Sequence, residues 1–148
     1  MPFRQIRIPV DYSEPSRRAL QFALALGGDA QLTVVHAWDR PAYVSEEMVA
    51  YKDGSRRSLS ELIRENAEKE MNDFLAGMPE VAGGKLEHRL LNGDPVSVIL
   101  EEAAKPGYDV LVIGTHGRTG MTKLLLGSVT EKLIRLSPIP VLTIPPAR

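Results

Sequence analysis

Five short runs of aliphatic and β-branched residues punctuate the 148-residue chain, at 6–10, 32–38, 85–91, 109–113 and from Ile139 to Ile144. A segment of helical periodicity separates each run from the next. Regular alternation of this kind leaves few folds open, because a strand followed by a crossover helix re-enters its sheet in parallel. The near-continuous apolarity of 32–38 and 110–113 suits strands covered on both faces. The third run, Lys85-Leu86-Glu87-His88-Arg89-Leu90-Leu91, alternates polar with apolar residues and predicts an outer strand with one wet face. The predicted class is α/β: an open five-stranded parallel sheet with helices on both faces, Rossmann-like, with residues 1–148 forming a single domain.

Punctuation supports the elements. Pro9 cannot donate to a ladder, so it marks the carboxyl end of the first strand. Ser13 reads as an N-cap with Glu14 and Pro15 in the first turn, and Ala19, Phe22, Ala23 and Leu26 give the helix one apolar face before Gly27 and Gly28. A long helix is expected from about Ser58, with a stripe that includes Leu62, Ala67, Met71 and Phe74, ended by Gly77 and Pro79. Asp94 and Pro95 open a third helix with Val96, Ile99, Leu100 and Ala103 inward. Ser128 opens a fourth with Val129, Leu133 and Leu136 inward. Residues 39–57 read as a long irregular stretch, the sort that forms a functional lid or no fixed structure.

Charge and composition exclude several classes. With 18 Lys and Arg against 19 Asp and Glu, the net charge is −1, so neither nucleic acid nor an anionic membrane surface is an expected partner. The chain has no cysteine, which removes disulfides, thiolate metal sites and cysteine nucleophiles. No apolar run approaches the roughly 20 residues that cross a bilayer, and the opening residues lack a signal-peptide pattern. A cytoplasmic location is expected.

The stretch Gly114-Thr115-His116-Gly117-Arg118-Thr119-Gly120, continuing to Gly127-Ser128-Val129-Thr130, has the character of a phosphate site. A strand stops at glycine, a partly basic loop follows, and a helix opens after another glycine, where free N–H groups attract anions. The spacing Gly-x2-Gly-x9-Gly-Ser is neither the P-loop nor the dinucleotide fingerprint. Ligands in open α/β sheets bind beyond the carboxyl ends of the strands. Pro9-Val10-Asp11, His36-Ala37 and Gly114 all fall at such ends. Simpler readings stand beside these. Ser128-Val129-Thr130-Glu131 matches a capping box, Asp11 could cap a helix, and His36 fits a satisfied core histidine. His116 has no partner spaced to make it a base, His88 is expected in solvent, and no two histidines share metal-ligand spacing. Arg56 and Arg57 are either solvated charges or cover for a polyphosphate.

Taken together, Ile8-Pro9-Val10-Asp11-Tyr12-Ser13-Glu14, Val34-Val35-His36-Ala37, Asn92-Gly93-Asp94-Pro95, the glycine stretch and Pro138-Ile139-Pro140-Val141-Leu142 resemble the universal stress protein family in its nucleotide-binding branch. The resemblance covers nearly the whole chain. It implies a sheet of order 3-2-1-4-5 with ATP over its carboxyl edge and a divalent ion, Mg or Mn, on the phosphates, with no metal ligand from the protein. By matching position, Asp11 and the Ala37 backbone hold adenine and ribose, and Gly114 and Gly117 lie under ribose and α-phosphate. Gly127, Ser128, Val129 and Thr130 bind the polyphosphate. With Pro9, Val10, Ile113, His116 and Arg118 these make up the candidate nucleotide set, and no catalytic residue is assigned. The resemblance also implies a homodimer through the last strand, Ile139 to Ile144. The expected function is a dimeric, nucleotide-dependent regulatory module in stress adaptation, with an unidentified protein partner allowed. The alternatives are a slow ATPase or a phosphoryl- or nucleotidyl-transfer enzyme, and an interaction scaffold that binds no nucleotide.

Overall fold

Strand β1 (Gln5–Pro9) lies at the centre of the sheet, and its residues Ile6, Arg7 and Ile8 are completely buried. The computed structural model describes residues 3–39, 44–45, 47–79, 81, 86–115 and 126–147. Along the chain β1 is followed by α1 (Glu14–Gly27), β2 (Gln31–Trp38), β3 (Val49–Lys52), β4 (Ser55–Ser58) and α2 (Leu59–Ala76). Then come β5 (Leu86–Asn92), α3 (Pro95–Ala103), β6 (Val110–Gly114), α4 (Ser128–Leu136) and β7 (Val141–Ile144). The main sheet has the order β5-β2-β1-β6-β7, every neighbouring pair parallel. Counted along the chain without β3 and β4, that is the expected 3-2-1-4-5. The α/β class and the outer place of the third main strand are as the sequence implied.

Each face of the sheet has its own apolar layer. Ile6, Ile8, Val34, Val110 and Val112 pack beneath α1 and α2 with Leu20, Met71 and Phe74. Val35, Leu111 and Ile113 pack beneath α3 and α4 with Ile99, Ala103 and Leu133. Strand alternation sends successive side chains to opposite layers.

Four expectations need correction. The stretch 39–57 is not irregular throughout: β3 and β4 form an antiparallel hairpin in which Lys52 pairs with Ser55. Its turn residues Asp53 and Gly54 have φ of 52° and 79°, as a two-residue type I′ turn requires, and Asp-Gly is a preferred sequence for it. On α1 the buried face is Ser16, Ala19, Leu20, Ala23 and Gly27. Phe22 and Leu26 are 46% and 43% exposed, because the inward stripe starts one turn earlier, at Ser16. On α4, Leu133 is buried as expected, while Leu136 is 57% exposed, in the last residue of the helix. Strand β7 begins at Val141, two residues later than expected, after Pro140.

Candidate functional site

The carboxyl ends of β1, β2 and β6 and the amino ends of α3 and α4 surround one cavity of about 250 Å³. From β1 and the residues after it come Pro9, Val10 and Asp11; from β2, Ala37; from β6, Ile113 and Gly114. Gly127, Ser128, Val129 and Thr130 supply the wall on the α4 side. Ten of the thirteen candidate residues therefore meet around one crevice. The other three, His116, Gly117 and Arg118, lie outside the described residues. Ser16, His36, Pro95 and Ile99 complete the lining and were not in the candidate set. His36 and Ile99 had been read as core residues, and each is also a wall.

The strand ends are shaped by a short chain of contacts. Val10 N–H donates to the Val35 carbonyl at 2.8 Å, the last bond of the β1–β2 ladder. His36 Nδ1 donates to the Val10 carbonyl at 2.8 Å, which makes Nε2 the acceptor when the ring is neutral. The histidine is thus satisfied, as its apolar strand suggested. Both main-chain groups of Val10 are engaged, and β2 alternation directs the N–H and C=O of Ala37 past the end of β1. Tyr12 takes a φ of 65° and stacks on His36 at 4.3 Å and Phe74 at 5.3 Å. That turn lets the Asp11 carboxylate accept from Ser13 N–H at 3.0 Å and from the Ser13 hydroxyl. Ser13 in turn caps α1 at Ser16 N–H.

The glycine of β6 is set by space. A Cβ on Gly114 would lie 3.0 Å from the Pro15 carbonyl oxygen and 3.1 Å from its carbon, so the end of β6 sits directly against the first turn of α1. The end of β6 is tied to the start of α4 by a 2.8 Å bond from Gly127 N–H to the Thr115 carbonyl. The buried Thr130 hydroxyl donates to the Gly114 carbonyl at 2.8 Å. That bond uses the hydroxyl hydrogen a ligand would have needed and leaves Thr130 its main-chain N–H.

The capping box is overturned. Ser128 is the first residue of α4, the N-cap is Gly127, and among the described residues no side chain caps the helix. The structure puts Ser128 one position too late to close its own helix. Glu131, which would complete the box, lies 3.6 Å from Arg135 on the next turn. By contrast, α3 is closed by Asp94, which accepts from Ser97 N–H at 3.1 Å and the Ser97 hydroxyl at 3.0 Å. Those bonds hold the Asp94 carboxyl below its ordinary pKa. The start of α4 thus offers main-chain donors and a positive dipole end to the crevice, while Pro9, Val10, Ile113 and Val129 give it apolar walls beside the polar Asp11, Ser16 and His36.

Other polar candidates lie elsewhere. His88 bonds Glu68 at 2.6 Å, so it is paired, not merely solvated. Arg57, on β4, is held by Glu65 of α2. Among the described residues no group of three His, Cys, Asp or Glu could hold a metal ion, and no helix is long and apolar enough to cross a membrane.

Comparison with known proteins identifies the fold and the family. Universal stress protein MJ0531 of Methanocaldococcus jannaschii is 32% identical over 144 residues, 96% of this chain and 82% of that one. The solved structure of protein MJ0577, from the same organism, superposes with a TM-score of 0.76 at 24% identity, covering 100% of this chain and 99% of that one. A universal stress protein in complex with cAMP matches with a TM-score of 0.64 at 23% identity, covering 97% and 98%. A universal stress protein family member of Arabidopsis thaliana with AMP bound matches at 0.56 and 20% identity, covering 95% and 90%. The model of the universal stress protein family matches residues 2–145, and the chain belongs to that family.

Proposed function

We propose that the protein is an ATP-binding regulatory module of the stress response, a cytoplasmic homodimer whose nucleotide state biases a partner surface. The observation that carries this reading is the start of α4, with no side-chain cap among the described residues, facing a largely apolar crevice at the carboxyl edge of the sheet. A nucleotide has the matching polarity: a flat base for the apolar walls and anionic phosphates for the donors. The cAMP and AMP complexes of structural neighbours support an adenine nucleotide as the ligand class. The Ala37 main chain would meet the base, Asp11 the ribose, Gly114 the α-phosphate region, and the amides of 128–130 the polyphosphate. His116, Gly117 and Arg118 would complete the phosphate side. Among the described residues lining the crevice the one carboxylate, Asp11, is already engaged by Ser13, so Mg or Mn would be held by phosphate oxygens and water. Strand β7 lies at the sheet edge with Val141, Leu142 and Thr143 half-buried, which supports pairing with a second copy across that edge.

The test is the nucleotide released when freshly purified protein is denatured, identified by mass spectrometry, together with the melting shift on adding ATP. Near-stoichiometric ATP supports the module. Mostly ADP favours slow hydrolysis. An empty protein whose melting temperature ATP does not move refutes the nucleotide reading.

A further inference from the structure

Arg7 is completely buried in the middle of the central strand, where an aliphatic side chain would be ordinary. Its neighbours across the sheet are Thr33 and Leu111, and Leu111 belongs to the layer under α3 and α4. The guanidinium reaches Glu102 in the last full turn of α3, a residue only 4% exposed. Arg7 Nη1 takes the Glu102 Oε2 side, and Lys105 Nζ takes Oε1 at 2.6 Å. Arg89 stands 3.8 Å from Oε1, and the Tyr108 ring lies against the guanidinium at 3.4 Å. Each oxygen of Glu102 thereby has a cationic neighbour, and the guanidinium lies between a carboxylate and an aromatic face, its Nε and Nη2 without a hydrogen-bond partner among the described residues. Burial and the nearby Arg89 lower the Arg7 pKa to about 10, with Glu87 opposing, so the group stays charged at neutral pH.

A buried pair of this kind is a poor device for stability, since well-packed apolar residues of the same volume serve as well or better. What it adds is direction, and its placement is informative. Arg7 and Pro9 are on the same face of β1, and Pro9 lines the crevice. Glu102 lies one turn beyond Ile99, which lines the crevice from α3. The ion pair thus ties the two facing walls together one layer beneath the ligand. With only nine residues in α3, a slide or roll of that helix would have to break it.

We propose that Arg7 and Glu102 are positioning residues that set the separation between the β1 and α3 walls and so the affinity of the crevice for its nucleotide. The proposal rests on the nucleotide reading. The experiment measures ATP affinity by calorimetry and melting temperature for the wild type, the double variant Arg7→Met/Glu102→Leu, and the rim variant Lys105→Met, which frees Oε1 without stranding a buried charge. The double variant is expected to melt within a few degrees of the wild type and to bind ATP at least tenfold more weakly. Lys105→Met is expected to melt like the wild type and bind about threefold more weakly. If the variants melt as expected and bind ATP within twofold of the wild type, the positioning role is refuted. Should the double variant fail to fold, Lys105→Met decides alone by the same criterion. A wild type that binds no ATP refutes the nucleotide reading itself, and the positioning role falls with it.

Discussion

Replacing Gly114 by alanine tests the close approach on which the crevice is built. The added Cβ would meet the Pro15 carbonyl oxygen at 3.0 Å, its carbon at 3.1 Å and its Cβ at 3.2 Å. Comfortable carbon contacts begin at roughly 3.5 Å, so the first turn of α1 must retreat by about half an ångström. The two nearest atoms are main chain and cannot swing aside as a side-chain tip would. Overpacking of this kind costs about 1–3 kcal/mol. At ~2–4 °C per kcal/mol for a chain of this size, a mid-range cost of ~2 kcal/mol lowers the melting temperature by ~4–8 °C, read by circular dichroism without nucleotide. The double variant Gly114→Ala/Pro15→Ala should recover little, because removing the proline ring leaves the carbonyl where it was. A single variant that melts within a degree of the wild type, or a double variant that recovers fully, refutes the close-approach account. ATP affinity should fall with stability, since Ser16 of that turn lines the same crevice.

The remaining predictions address the helix starts and the hairpin. Ser128→Pro should leave α4 intact, because proline is favoured at the first helical position and Gly127, at φ −60° and ψ 147°, already has the backbone a proline requires before it. It removes one of the main-chain donors proposed for the phosphates, so ATP binding should weaken by roughly 10–100-fold, the worth of one charge-assisted hydrogen bond, and unchanged affinity in a titration would count against the phosphate role. Gly54→Ala puts a Cβ at φ 79° with nothing within 4 Å of it, a pure conformational cost of ~1–2 kcal/mol, expected as faster hydrogen exchange confined to 49–58. Asp94 and Asp109 are held below their ordinary pKa of 3.8, the first by Ser97 and the second by the N–H groups of Arg4 and Gln5. A lowered folded-state pKa gives stability that is complete above about pH 4 and lost as pH falls through the folded value. The melting deficits of Asp94→Ala and Asp109→Ala should therefore be constant near neutrality and shrink below pH 4.

The strand–helix alternation was legible because each element carries its own punctuation, as with Ser13 and Gly28 around α1 or Asp94 and Pro95 before α3. The glycine stretch and the strand ends pointed to the crevice because parallel topology brings carboxyl ends to one edge. What escaped depends on depth and register. Asp53-Gly54 is a strong hairpin signal, but charged residues flank it, Arg56 and Arg57 among them, and the described side chains of β3 and β4 are exposed or half-buried, so no buried apolar alternation reveals them. Ile99 and Pro95 looked like ordinary helix residues because nothing in a sequence says that the amino-terminal half of α3 borders the same crevice as the end of β1. Arg7 in a central strand and Glu102 on an inward helix face contradict the apolar pattern only once the two are known to meet.

The register of α4 is where local rule and tertiary structure diverge, and its cause can be traced. Read alone, Ser-Val-Thr-Glu closes its own helix and takes up two of the donors a ligand would use. In the fold, two bonds place that segment from outside: Gly127 N–H on the Thr115 carbonyl and the Thr130 hydroxyl on the Gly114 carbonyl. Both acceptors are at the end of β6, so the strand, and not the capping sequence, sets where the helix begins. The Gly127 φ and ψ then make it the N-cap, and a glycine has no side chain with which to close the amides. The same glycine that permits the junction thus leaves the helix start open toward the crevice. A capping sequence displaced by one residue is the local conflict expected where a fold trades stability for a site.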